Sequence, residues 1–341
     1  MFVRPSSLAV CFTALGLVPV CSGRVHAQDV VEETKPASAK LQKIKLSTKK
    51  KIVLISGRRS HGYGSHEFNA GNLLMAKLLE SRFDGLEAKV FLKGVWPKPE
   101  DFEGADSVVI FCNGGGGHIV NKHLDEFDKL MKKGVGAAFL HYGVETVKGR
   151  PSEMFIEWIG GHFERFWSVN PHWDAKFTVM PKHSITRGVK PFMANDEWYF
   201  HMRFRPKMEG VTPILSAVAP PSTMKRKDGA HSGNPAVRKA VKERIPQHLA
   251  WAVNRKDGGR GFGFTGLHRH WNFADDNFRK TVLNAIAWTA KIEIPKDGIV
   301  TATPTQAELE ANQDYAKPGA KKNRKKKNKK KNKNKKKKKG S

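Results

Sequence analysis

Between residues 51 and 140 the chain alternates short, continuous apolar runs with amphipathic stretches, and this alternation limits the fold more than any other feature. "KIVLIS", "EAKVFL", "DSVVIFC" and "GVGAAFL" each read as a strand. None shows the in-and-out alternation of a half-exposed strand, so both faces are expected to be covered. The stretches between them carry helical spacing, with Ala70, Leu74 and Leu78 on one face and Leu124, Phe127, Leu130 and Met131 on another. Strands alternating with helices predict an α/β protein whose mostly parallel sheet is joined by right-handed crossovers. Further strands are expected at "AKFTVM", "TPILSAV", "QHLAWAV" and "RGFGFTG", and a last helix from Asp275 to Ala290. The folded domain is placed at 51–296, with polar linkers at 28–50 and 297–320.

The chain ends carry different messages. Arg4 precedes an apolar run from Leu8 to Cys21, and the segment closes with "VHA" before Gln28. That is the pattern of a secretory signal peptide cleaved after Ala27, and the run is shorter than the roughly 20 residues a membrane-spanning helix needs. An exported protein, periplasmic, envelope-bound or extracellular, is the expectation. Cleavage would leave Cys112 as the one remaining cysteine, with no intrachain disulfide. At the other end Lys321 to Lys339 holds fourteen lysines, one arginine and no acid, about half of the formal net charge of +29. A like-charge block of this kind does not condense into a core. It is expected to tether the protein to acidic envelope polymers or other anionic surfaces, with no specific nucleic acid partner.

In open α/β sheets ligands bind beyond the carboxyl ends of the strands. The polar residues with chemical potential gather there. His61 and His66 follow the first strand, "NGGGGH" (Asn113 to His118) the third, His141 and Tyr142 the fourth, and His268 and His270 the last. In the glycine run, Asn113, Gly114, Gly115 and Gly116 let a ligand approach the backbone and offer free N–H groups, or they form only a flexible turn. If the last strand persists through "LHRHW", its period of two puts His268 and His270 on one face, where paired imidazoles suit a metal or a polyol. "NDEWYF" sets Glu197 beside Trp198, and "NPHWD" offers His172 beside Trp173; a carboxylate or imidazole next to an aromatic face suits a sugar ring, or simply begins a strand. Cys112 reads as inert core.

Taken in order, "HEFN" at 66–69, "GVGAAFLHYG", "KHSITRGVKPFMANDEWYF" at 182–200, "HLAWA" and "GRGFGFTGLHRHW" resemble the trehalose-utilisation, or ThuA-like, family. The resemblance covers nearly all of 51–296. It implies a flavodoxin-like sandwich related to class I glutamine amidotransferases. In those enzymes the turn after the equivalent strand carries the nucleophilic cysteine; here it carries His141, which argues against glutamine hydrolysis. Leu267 stands where the family commonly has glycine before histidine.

The resemblance further implies carbohydrate metabolism and a divalent metal on clustered histidines. His141, at a turn expected to be open to solvent, is assigned as acid/base or ligand, with Glu197 as its carboxylate partner. His66, His268 and His270 are assigned as metal ligands or polyol donors, and zinc would take about four N/O ligands. Asn113, Gly114, Gly115, Gly116, Tyr142, His172 and Trp198 are assigned to a sugar or glycan. The expected function is action on, or binding of, a sugar or sugar derivative such as trehalose. The alternative is a non-catalytic carbohydrate-binding or envelope scaffold module.

Overall fold

The computed structural model describes residues 41–319. The signal segment and the lysine block expected from the sequence lie outside the described residues. In chain order the elements are β1 (Ile44–Ser56), α1 (Phe68–Arg82), β2 (Phe83–Phe91), β3 (Ser107–Phe111), α2 (Leu124–Lys132) and β4 (Gly136–Leu140). Then follow α3 (Arg150–Ile159), β5 (Gly161–His162), β6 (Trp173–Phe177), β7 (Phe192–Asp196), β8 (Arg203–Phe204) and β9 (Val211–Ala217). The chain closes with α4 (Pro235–Lys242), β10 (Gln247–Asn254), β11 (Arg260–Phe264), α5 (Asp276–Thr289) and α6 (Gln306–Glu310).

Seven strands form the central sheet in the order β2-β1-β3-β4-β11-β10-β9. The first five run parallel, β10 runs antiparallel to them, and β9, paired antiparallel with β10, returns to their direction. The parallel strands are the ones with continuous apolar runs: every residue of β3 and β4 is buried. One face packs against α1 and α5, where Phe68, Leu79, Phe278 and Ile286 are fully buried, and the other against α2 and α3 through Phe127, Phe155 and Trp158. Burying a large apolar side chain is worth about 1.5–3 kcal/mol, so these two layers fix the sheet and its carboxyl edge.

Two expected boundaries are corrected. The first strand starts at Ile44 and not at Lys51: the polar segment before Lys51 lies along the sheet edge, with Ile44 beside Phe83 and Lys45 beside Asp84. Nor is 297–320 a linker throughout. Ile299 and Leu309 are buried, Thr305 caps α6, and Lys77 pairs with Glu308 at 2.6 Å. A short helix with one buried leucine leaves little periodicity to read.

Candidate functional site

Four side chains from four separate segments meet at the carboxyl edge of the sheet. His66 comes from the β1–α1 loop, His141 from the residue after β4, Glu197 from the residue after β7, and His268 from the loop after β11. One ligand-type atom of each lies within 4.8 Å of all the others. His66 Nε2 stands 2.9 Å from His268 Nδ1 and 3.1 Å from His141 Nε2. Glu197 Oε2 stands 2.9 Å from His268 Nδ1, 3.5 Å from His141 Nε2 and 3.8 Å from His66 Nε2.

The backbone is bent to make this meeting. His66 and His141 have φ of 52° and 50°, a left-handed conformation unusual outside glycine and frequent at functional turns. At His141 it resembles the sharp strand-to-turn corner that exposes nucleophiles in other α/β proteins. The expectation of a solvent-open turn is overturned, since His141 is 0% exposed. Its Nδ1 donates to the Thr265 carbonyl at 2.8 Å, which fixes the tautomer and leaves the Nε2 lone pair facing the cluster. Tyr199 Oη lies 3.2 Å from the same Nε2.

Glu197 and His268 depend on Asp196, a wholly buried carboxylate. Its Oδ1 accepts from Glu197 N at 2.7 Å and Arg269 N at 3.2 Å, and its Oδ2 from Leu267 N at 2.9 Å and Asn272 Nδ2 at 2.8 Å. One side chain thereby ties the β7 end to the β11 loop. Leu267, where glycine would be expected, has φ of 86° and holds this strained conformation through the Asp196 bond and its own burial. Asn170 Nδ2 donates to Glu197 Oε1 at 3.0 Å, leaving Oε2 for the histidines. Burial pushes the Glu197 carboxyl up, but the His141, His268 and His66 imidazoles packed around it outweigh burial and hold the group well below the usual carboxylate range. Burial drives His66 down to about 2, so its ring is neutral and able to act as a ligand.

Two of the expected site residues do not join the cluster. His270 is not on the face of His268, because β11 ends at Phe264 and a 3-10 turn begins at His270; the period of two does not reach these residues. Its ring packs on Phe273 instead. Trp198 is not a sugar platform: it is 0% exposed and donates from Nε1 to the Ala194 carbonyl inside the core. Its aromatic neighbours in sequence are equally core residues, so composition alone does not separate the two uses.

The remaining residues border the cluster. His61 stacks on His66 with 3.6 Å between ring centroids, exposed His172 sits edge-on to His268 at 4.7 Å, and Tyr142 lies 5.6 Å from His66. The glycine loop packs on Tyr142: a side chain at Gly114 would meet the Tyr142 carbonyl oxygen at 2.4 Å. Asn113 is used internally, donating to the Arg58 carbonyl at 2.9 Å, whereas Gly116 is exposed. Cys112 is buried core, its thiol pushed up to about 12 by burial. Of the residues that support the cluster, Asp196 and Tyr199 stand in "NDEWYF" beside Glu197 and Trp198, and Asn170 opens "NPHWD", but the sequence assigns none of them a role; Thr265 carries no sequence signal at all.

The four-residue cluster fits a divalent cation. A tetrahedral zinc with ligands at roughly 2.0–2.1 Å needs donor atoms about 3.3 Å apart; five of the six pairs stand at 2.9–3.8 Å, around that value, and all four atoms lie within 4.8 Å of one another. Among the described residues, His66 Nδ1 is buried without a hydrogen-bond partner. If Nδ1 carries the proton, Nε2 presents a lone pair to the centre, as His141 does.

Comparison with known proteins gives a match to the trehalose utilisation (ThuA) family model over residues 53–289. Among solved structures the chain is similar to a ThuA-like protein from Bacteroides uniformis, at 17% identity and a TM-score of 0.52, covering 75% of this chain and 95% of that one. It is also similar to a ThuA-like protein from Parabacteroides merdae, at 15% identity and a TM-score of 0.46, covering 77% and 99%. A glutamine amidotransferase from Thermotoga maritima follows at 10% identity and a TM-score of 0.36, covering 64% and 75%. The likeness to the Bacteroides protein is one of fold. No curated protein matches.

Proposed function

Since the chain belongs to the trehalose utilisation (ThuA) family, its match running from 53 to 289, we propose that it is a metal-assisted enzyme acting on a sugar or sugar derivative. The observation that carries this reading is the convergence of His66, His141, His268 and Glu197 within 4.8 Å. These residues would hold a divalent cation such as zinc. Bound there, such an ion would polarise a sugar oxygen or acidify a bound water. Of the two roles open to His141, ligand is favoured, because its Nδ1 proton is committed to Thr265 and its free lone pair faces the centre. Asp196 and Asn170 hold Glu197 so that Oε2 meets the imidazoles. Tyr142 borders the site, its ring 5.6 Å from that of His66, and the glycine loop packs on it through Gly114, so a hydroxyl-rich ligand would meet phenol and backbone groups there.

A binding-only module is less well supported, because Trp198 and Trp173, the aromatic platform it would use, are both buried. Export, and attachment of the lysine block to anionic envelope polymers, complete the reading. The test is turnover of trehalose and of oxidised disaccharides by the full chain, before and after removal of metal with a chelator. Turnover lost on chelation and restored by zinc is expected; turnover indifferent to chelation contradicts the proposal.

A further inference from the structure

The turn that presents His141 goes on to place a second ionisable side chain. Glu145 is 1% exposed, and both its oxygens face one atom, His231 Nε2, at 3.1 and 3.0 Å. No lysine or arginine pairs with Glu145 among the described residues. A buried carboxylate is costly unless paired, and its ionisable partner among the described residues is an imidazole. Nε2 therefore carries the proton that Glu145 accepts, and Nδ1 is the atom left to take up or give a proton. The His231 side chain is 30% exposed, so solvent or a ligand can reach it.

The pair borders the centre already described. The loop from Lys225 to Asn234 carries His231, whose carbonyl accepts from Asn170 N at 3.0 Å; the Asn170 side chain in turn donates to Glu197 Oε1 at 3.0 Å. One residue thus links the two carboxylate systems. On the other side Gly115 N donates to the Glu145 carbonyl at 3.1 Å, and with φ of 59° a side chain at Gly115 would come within 3.1 Å of Glu145 Oε1. The glycine loop is shaped around this carboxylate. The His231 ring is held on its face by Phe163, centroids 5.3 Å apart, and Phe163 packs on Tyr199, which reaches His141. After burial, the negative charge of Glu145 is the next largest influence raising the Tyr142 phenol, so its field extends to the cluster side.

We propose that Glu145 and His231 form the proton-transfer pair of this site, with His231 Nδ1 taking the proton of a sugar C–H beside a ring ketone while the C–H electron pair moves to the ketone oxygen as an enolate. Glu145 stays hydrogen-bonded to Nε2–H and stabilises the imidazolium that forms; as the enolate collapses back to the ketone and the adjacent glycosidic C–O bond breaks, the imidazolium gives its proton to the departing oxygen, so the pair is regenerated. The arrangement matches the carboxylate–imidazole half of a hydrolytic triad, in which the acid orients the ring and does not itself take the proton. The inference rests on the enzymatic reading above and adds the groups that move protons, a task the cluster histidines cannot share while they serve as ligands.

A merely structural pair would clamp the Lys225–Asn234 loop, and the variants separate the two roles. His231→Gln keeps an N–H donor for Glu145 but cannot cycle a proton; Glu145→Gln keeps an acceptor but not the charge. The zinc-loaded full chain is assayed with trehalose and with a disaccharide bearing a ring ketone. Imidazole 15N NMR shifts of His231 and zinc stoichiometry are measured alongside. Expected are a proton on Nε2 in the neutral ring, unchanged zinc content in both variants, and a fall in kcat for His231→Gln of roughly 100-fold or more, in the range of general acid–base catalysis. A kcat within twofold of the parent for His231→Gln, with zinc bound, overturns this inference and leaves the metal reading standing. A neutral ring protonated on Nδ1 overturns it as well. No turnover of either sugar by the zinc-loaded parent protein overturns both.

Discussion

Replacing Asp196 by Asn removes one oxygen acceptor from the most heavily used carboxylate of the site. Two backbone N–H groups and the Asn272 amide reach the buried carboxylate from the β11 loop, and Glu197 N reaches it from its own strand end. The asparagine oxygen can satisfy the donors on one side. On the other its NH2 would face two N–H donors, with no acceptor between them. A hydrogen bond to a charged group contributes about 1.5–3 kcal/mol, so two lost bonds amount to roughly 3–6 kcal/mol. That is a large part of a domain stability of about 5–15 kcal/mol. Urea unfolding followed by tryptophan fluorescence measures the loss, and zinc content of the still-folded fraction measures the functional consequence. We expect a destabilisation of at least about 3 kcal/mol and a weaker zinc site, because both Glu197 and His268 are displaced. A loss below about 1 kcal/mol with zinc retained would show that the Asp196 hub does not position the site.

Other consequences are equally measurable. Cys112→Ser should cost about 1–3 kcal/mol through a hydroxyl buried among apolar strands, with turnover of the folded protein unchanged; selective loss of turnover would make the thiol a reacting group. Burial holds His118 and His270 down to about 4 against an ordinary 6.5, so both stay neutral in the folded protein while the unfolded chain takes up protons. Their contribution is complete above the ordinary value and lost as pH falls towards 4, at about 1.4 kcal/mol per pH unit for each. Urea midpoints taken with chelator present should therefore drop between pH 7 and 5, and a flat profile would contradict the assignment. Deleting Lys321 to Ser341 should abolish retention on anionic polymers, which salt should also screen, and leave the fold intact. Ending the chain at Asp297 should instead destabilise the rim, because Gly64 N donates to Gln313 Oε1 at 3.1 Å and Glu67 Oε2 accepts from Asp314 N at 2.9 Å; equal thermal stability of the two truncations would refute that role.

The central strands were legible because a parallel strand covered on both faces must be apolar throughout, and "SVVIF" and "GAAFL" are buried at every position. Their carboxyl ends then pointed to His66, His141 and His268 without any three-dimensional information. What failed did so for physical reasons. The period-two reading of His268 and His270 assumed a strand that stops at Phe264, and only the tertiary path of the loop reveals the turn. Trp198 carries the same local signal whether it faces a sugar or the core. Asp196 could be seen next to Glu197, but its four donors come from segments up to 76 residues away. His231 lies in "KRKDGAHSGNP", a polar stretch without periodicity, and its carboxylate partner is 86 residues distant.

The central claim is that His66, His141, Glu197 and His268 form one metal site. Equilibrium dialysis of the full chain against zinc, read by elemental analysis, tests it directly. One equivalent per chain is expected, with tight binding lost in His268→Ala and in Glu197→Gln and retained in His270→Ala, whose ring faces Phe273. A parent protein that takes up no zinc or other divalent metal at this site, or a Glu197→Gln and His268→Ala pair that bind it as tightly as the parent, would contradict the account.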